Sequence, residues 1–153
     1  MGEGQGARED ATGRPFCGPA GQLLDGLLHA IGWARDQVFI ANVVKCRPPG
    51  NRAPEPGEIE AGAPGRDRQL ELTRPRVIVT RGNFATKLLL QTKEGITKIR
   101  GTEFAFTRSG HSAVLIPTLH PSAVLRSDSS SDRTEEPIIS RSDVWATRCT
   151  PLT

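Results

Sequence analysis

The run Gln37-Val38-Phe39-Ile40-Ala41-Asn42-Val43-Val44 is rich in β-branched and aromatic residues, and it stops against Lys45-Cys46-Arg47-Pro48-Pro49-Gly50, which suits neither helix nor strand. A strand that delivers an amide and then opens into a cationic, proline-broken loop places its polar groups at the end of a sheet. In open α/β sheets that end is where ligands bind, because the loops there line a crevice walled by helix N-termini. Taken alone, the segment is also compatible with a basic surface turn.

The rest of the chain supplies the alternation that such a sheet requires. Residues 1–16 are Gly-rich and polar and are expected to form a loop. Leu23, Leu24, Leu27, Leu28 and Ile31 recur at helical spacing, so a helix is predicted over Ala20–Ile31. A second helix is predicted over Pro54–Thr73, although Gly62, Pro64 and Gly65 interrupt it. A buried strand at Arg76–Thr80, a helix at Asn83–Gln91 and a strand at Val114–Thr118 that delivers His120 complete the pattern. Helices between strands imply an α/β domain with a mainly parallel sheet covered on both faces. After Arg126 the chain turns to Ser127-Asp128-Ser129-Ser130-Ser131-Asp132, so residues 1–126 are expected to be one domain and 127–153 a polar, disordered tail.

Twenty Lys and Arg residues against 17 Asp and Glu give a formal charge of +3, which is compatible with a polyanionic partner. Placement says more than the total: Lys45, Arg47 and Arg52 bracket the strand mouth, and Lys98 and Arg100 sit in a later loop, so they can form a basic rim. Three scattered cysteines argue against a disulfide framework. With no secretory leader and no membrane-length apolar run, a cytoplasmic protein without a membrane partner is expected. The stretch Gly2-Glu3-Gly4-Gln5-Gly6-Ala7 satisfies a loose dinucleotide-binding pattern, but no strand feeds it, and Gly13 and Pro15 break the helix that the pattern needs next.

Three segments taken in order carry a more specific likeness: Gly2-Glu3-Gly4-Gln5-Gly6-Ala7-Arg8-Glu9-Asp10 with Gly13-Arg14-Pro15-Phe16-Cys17-Gly18, then Asn42 to Arg52, then Thr118-Leu119-His120-Pro121-Ser122-Ala123-Val124-Leu125-Arg126. Together with Lys98-Ile99-Arg100-Gly101, they resemble the family 4 uracil-DNA glycosylases, which carry an iron–sulfur cluster. The resemblance implies a three-layer α/β/α fold and hydrolytic removal of uracil from DNA, the opening step of base-excision repair, by a monofunctional mechanism that leaves an abasic site; a monomer is expected. It makes Phe16 the ring that stacks on the flipped base and Asn42 the amide that reads uracil O4 and N3–H. A loop phenylalanine otherwise plugs a core, and an amide at a strand end otherwise caps a turn. His120 would donate to uracil O2 as the bond to the sugar breaks. Glu3 and Glu9 would stabilise the sugar cation or position water, main-chain amides around Gly4 would touch the base, and Leu125 and Arg126 would enter the DNA.

The chain also departs from that family. Its [4Fe-4S] cluster uses four cysteines, of which Cys46 matches one; Gly62 stands at another, and a Cys-x-x-Cys pair is expected upstream of Gly2, with the strand that would lead into it. The cluster is therefore not expected to bind here. Gln5 stands where proline is usual, Arg81 where leucine is usual, and Gly65-Arg66 replaces an aromatic-aliphatic pair. A truncated or degraded copy, retaining at most non-specific nucleic-acid binding, is the alternative to an active enzyme.

Overall fold

The computed structural model describes residues 1–121 and Ala123, so Leu125, Arg126 and the tail 127–153 lie outside the described residues. The elements run α1 (Ala7–Thr12), α2 (Pro19–Ala30), α3 (Pro56–Thr73), β1 (Val77–Arg81), α4 (Asn83–Leu90), α5 (Ile96–Ile99), β2 (Phe104–Arg108) and β3 (His111–Thr118). Single 3-10 turns lie at Arg35–Gln37 and Pro49–Asn51. The class is α/β, and among the described residues no helix is long and apolar enough to cross a membrane.

The named strands form a sheet of order β1-β3-β2. β1 and β3 pair in parallel, Ile78 opposite Leu115 and Thr80 opposite Pro117, while β2 runs antiparallel to β3. The parallel character continues past β1 through main-chain bonds rather than a full strand. The Met1 amine donates to Val79 O and Arg81 N–H donates to Met1 O; Gly2 N–H then donates to Ala41 O and Val43 N–H to Gly2 O. Residues 1–3 thus lie between β1 and the segment 41–44.

That arrangement corrects the strand expected over Gln37–Val44. The segment begins with a 3-10 turn at Arg35–Gln37 and makes one isolated parallel bridge, Asn42 with Gly2. A β-branched run becomes a ladder only as far as its neighbour extends beside it. The expected loop over residues 1–16 also contains α1, which Gly13 ends at φ 68°. β2 was not foreseen; it forms a hairpin with β3 through Ser109 and Gly110, both at positive φ, as a tight two-residue turn requires.

The predicted helices form for local reasons. α2 starts with Pro19 in its first turn and buries Leu24, Leu27 and Leu28 along one stripe. α3 starts with Pro56 after Glu55, whose N–H donates to the Glu58 carboxylate at 2.8 Å. It continues through Pro64, which faces outward, while Gly62, Arg66 and Leu70 face inward at four-residue spacing. Leu70, Ile78, Leu89, Phe106, Ala113 and Leu115 make one core cluster. Burying each of its leucines contributes roughly 2 kcal/mol. A second cluster of Val43, Val44 and Ala85 anchors segment 41–44 against α4. The third, Phe16 with Leu24 and Leu28, ties α2 to the loop before it.

Candidate active site

The ends of these segments converge on one cleft of about 850 Å³. Loop 3–6 supplies Glu3 and Gly4, the loop before α2 supplies Phe16, segment 41–44 supplies Asn42, and the residue pair after β3 supplies His120; Glu9 and Arg52 also line it. Seven residues singled out from the sequence therefore meet in one place. Asn51, Asn83 and Lys87 line it as well and were not foreseen. For Lys87 the available signal was its position one turn after Asn83 on α4.

Phe16 is buried, yet its backbone sits in the left-handed region at φ 53°, a conformation that costs a non-glycine residue about 1 kcal/mol or more. Close approach holds it there. Gly21, in the first turn of α2, lies directly on the Phe16 carbonyl, where a Cβ would collide. A Cβ on Gly2 would lie 2.6 Å from Asn42 Oδ1 and 2.7 Å from Phe16 Cζ, so glycine at position 2 lets both side chains converge. The Phe16 and His120 ring centroids are 6.0 Å apart with the planes tilted by 33°. Asn42 is 5 % exposed, and its Oδ1 is buried without a hydrogen-bond partner. A buried acceptor left unpaired costs on the order of 1–3 kcal/mol, which a ligand N–H in the cleft would recover.

The two carboxylates of the N-terminal loop are driven in opposite directions. Burial raises the pKa of Glu3 above the ordinary carboxylate range. Burial acts in the same sense on Glu9, but main-chain N–H groups outweigh it and hold that carboxyl below the ordinary range. Glu9 Oε1 accepts from Cys17 N–H and Gly18 N–H, each at 3.0 Å, at the entrance to α2. Glu9 therefore fastens the loop that carries Phe16, while Glu3 lines the cleft.

The expected basic rim is only partly assembled. Arg52 lines the cleft and pairs bidentately with Glu58 at 2.9 Å. Lys45 turns inward, donating to Asn42 O and to Gln69 Oε1, and burial followed by the nearby Arg66 charge lowers its pKa. Arg47 donates to Asn51 Oδ1, and Lys98 pairs with Glu94 on the surface. Arg47, Lys98 and Arg100 all lie outside the cleft lining.

Cys46 is exposed and free, and Gly62 packs so closely that a Cβ there would lie 3.2 Å from Val43 O. Among the described residues no group of three or more His, Cys, Asp and Glu side chains is arranged to hold a metal ion.

A family model described as the uracil DNA glycosylase superfamily matches residues 1–140. The chain is 45% identical over 130 residues to the type-4 uracil-DNA glycosylase of Sulfurisphaera tokodaii, covering 82% of this chain and 59% of that protein. It is 44% identical over 130 residues to the enzyme of the same name from Saccharolobus solfataricus, covering 82% and 60%. Against that of Thermotoga maritima the identity is 46% over 130 residues, covering 84% and 66%. The chain thus spans about three fifths to two thirds of the length of these curated relatives.

Proposed function

This chain belongs to the uracil-DNA glycosylase superfamily, and from that premise we propose that its cleft removes uracil from DNA by hydrolysing the bond between N1 of the base and C1′ of deoxyribose. The observation that carries the reading is the convergence of Phe16, Asn42 and His120, three residues far apart in sequence, on one cleft. A uracil turned out of the base stack would lie against the Phe16 ring. Asn42 Oδ1 would accept from N3–H and its amide nitrogen would donate to O4, which satisfies the unpaired buried oxygen. Cytosine presents the reversed edge and would leave both groups unpaired, a mismatch that discriminates strongly.

As the glycosidic bond breaks, electrons flow onto the pyrimidine and positive charge develops at C1′. His120 would donate a hydrogen bond to uracil O2 as that charge arrives. Glu3, whose burial raises its proton affinity, is suited to accept a proton from the water that attacks C1′. Glu9 acts as a positioning residue through the hydrogen bonds that hold Cys17 and Gly18. Arg52 and Lys87 are the cations placed to meet phosphates at the cleft edge.

The iron–sulfur cluster that the family resemblance implies needs converging thiolates. With Cys46 as the one matching thiol and no donor at Gly62, the residues present do not fit it, and no step depends on it. DNA is the partner in this reading, and the chain acts as a cytoplasmic monomer.

The test is release of uracil from a single-stranded and a double-stranded oligonucleotide by the purified chain, followed by alkaline cleavage at the abasic site. Uracil release that Asn42→Asp abolishes or extends to cytosine supports the reading. Absence of release, with salt-dependent binding retained, would identify a remnant that binds nucleic acid without the chemistry.

A further inference from the structure

Arg81 ends β1 next to Gly82, which lines the cleft, and is 5 % exposed, yet its Nε and Nη1 have no hydrogen-bond partner. Its Cζ lies 5.6 Å from the centroid of the Phe16 ring. That separation is within the range of a cation–π contact, and burial strengthens such contacts by removing competing water. Phe16 lines the cleft and Arg81 does not, and the Phe16 ring is the cleft group that the guanidinium lies over.

We propose that Arg81 is a positioning residue that makes the cleft select for an anionic planar ring over a neutral one of similar shape. A cation over one face of a phenyl ring offsets the negative quadrupole of that face, so the ring no longer repels negative charge stacked upon it. The guanidinium is itself buried, so water screens it poorly and its charge still acts one ring thickness away. A buried cation without a counter-charge is also an uncompensated cost, and an anion in the cleft supplies the missing partner. Arg81 keeps its charge at neutral pH even though burial lowers its pKa to about 10.

The proposal rests on the cleft being a base-excision site and deepens that reading, because the leaving pyrimidine is the anion that Arg81 would favour. Neutral uracil and barbiturate, a related pyrimidine that is anionic at pH 7, are the probes, measured by calorimetry on the full chain and on Arg81→Met. Removal of the charge should reduce the barbiturate-to-uracil affinity ratio about tenfold, the size expected for one poorly screened unit charge at this range. Arg81→Lys should restore most of the ratio, which a purely space-filling role would not achieve. Thermal melting identifies folded variants, and Arg81→Gln takes the place of Arg81→Met if the latter does not fold. An unchanged ratio in a folded, uncharged variant overturns the role of Arg81 and leaves the excision reading intact. Failure of the unmodified chain to bind either ring overturns the base pocket itself, and the role of Arg81 with it.

Discussion

Two buried arginines separate the cleft end of the molecule from its flank. Arg81 and Arg66 are 5 % and 3 % exposed, and each has a guanidinium nitrogen with no hydrogen-bond partner. Arg66 lies on the inner face of α3, its Nε 3.2 Å from Asp67 Oδ1, and Asp67 is shared with Arg108 of β2 at 2.9 Å. Arg81 lies over the ring of Phe16, which lines the cleft. The same local defect, an incompletely paired buried cation, is a matter of stability at the flank and of ligand choice at the cleft. What differs is access: a ligand can complete one environment and not the other.

The largest effect should come at the cleft end. His120→Ala is expected to slow single-turnover uracil release on the order of 100-fold or more while changing DNA affinity little, because its hydrogen bond strengthens only as charge reaches the departing base. Equal losses in cleavage and binding would make His120 a packing residue and weaken the contrast between the two regions.

Glu9→Ala lies between the two regimes, since Glu9 holds the loop that positions Phe16. Loss of two charge-assisted hydrogen bonds at the α2 entrance should cost about 1–2 kcal/mol in denaturant unfolding. Its depressed folded-state pKa sets the sign with pH. The stabilisation is fully present above the ordinary carboxylate pKa and is lost as pH falls through the lower folded value. Glu3 behaves in the opposite sense: its raised folded pKa contributes stability below the ordinary value, lost as pH rises through the folded one. The acid limb of the unfolding profile should therefore flatten in Glu9→Ala and steepen in Glu3→Gln.

At the flank, Arg66→Met should raise stability by about 1 kcal/mol, because Asp67 keeps Arg108 and a desolvated charge disappears. Its anion-to-neutral ligand ratio should match that of the unmodified chain. A change in that ratio would show that the selectivity assigned to Arg81 is a diffuse effect of net charge. The smallest effect is expected at Arg52→Ala. Its exposed pairing with Glu58 contributes little to stability, but the slope of log affinity for DNA against log salt should become shallower by about one.

Much of the site was legible because motif residues stand at segment ends that sequence pattern locates well. Phe16 precedes the leucine stripe of α2, Asn42 lies within a β-branched run where it meets the basic loop, and His120 comes just after β3; none of these positions depends on which strands are neighbours. The basic rim was less legible. Lys45 has the sequence context of Arg47 and Arg52, but its amine reaches Gln69, 24 residues away on α3, and no local pattern reports that turn inward.

Local sterics and periodicity in the sequence determined α2, α4, β1 and β3, since helix spacing and β-branched runs act over a few residues. They also determined the order in which the motif loops appear. Only the tertiary structure decided that Gln37–Val44 makes one bridge and not a ladder, that Glu3 and Glu9 titrate in opposite directions, and that Arg81 lies over the Phe16 ring. Strand pairing, desolvation and the meeting of a charge with a ring depend on groups remote in sequence, and their energies exist only once the chain has brought those groups within a few ångströms of each other.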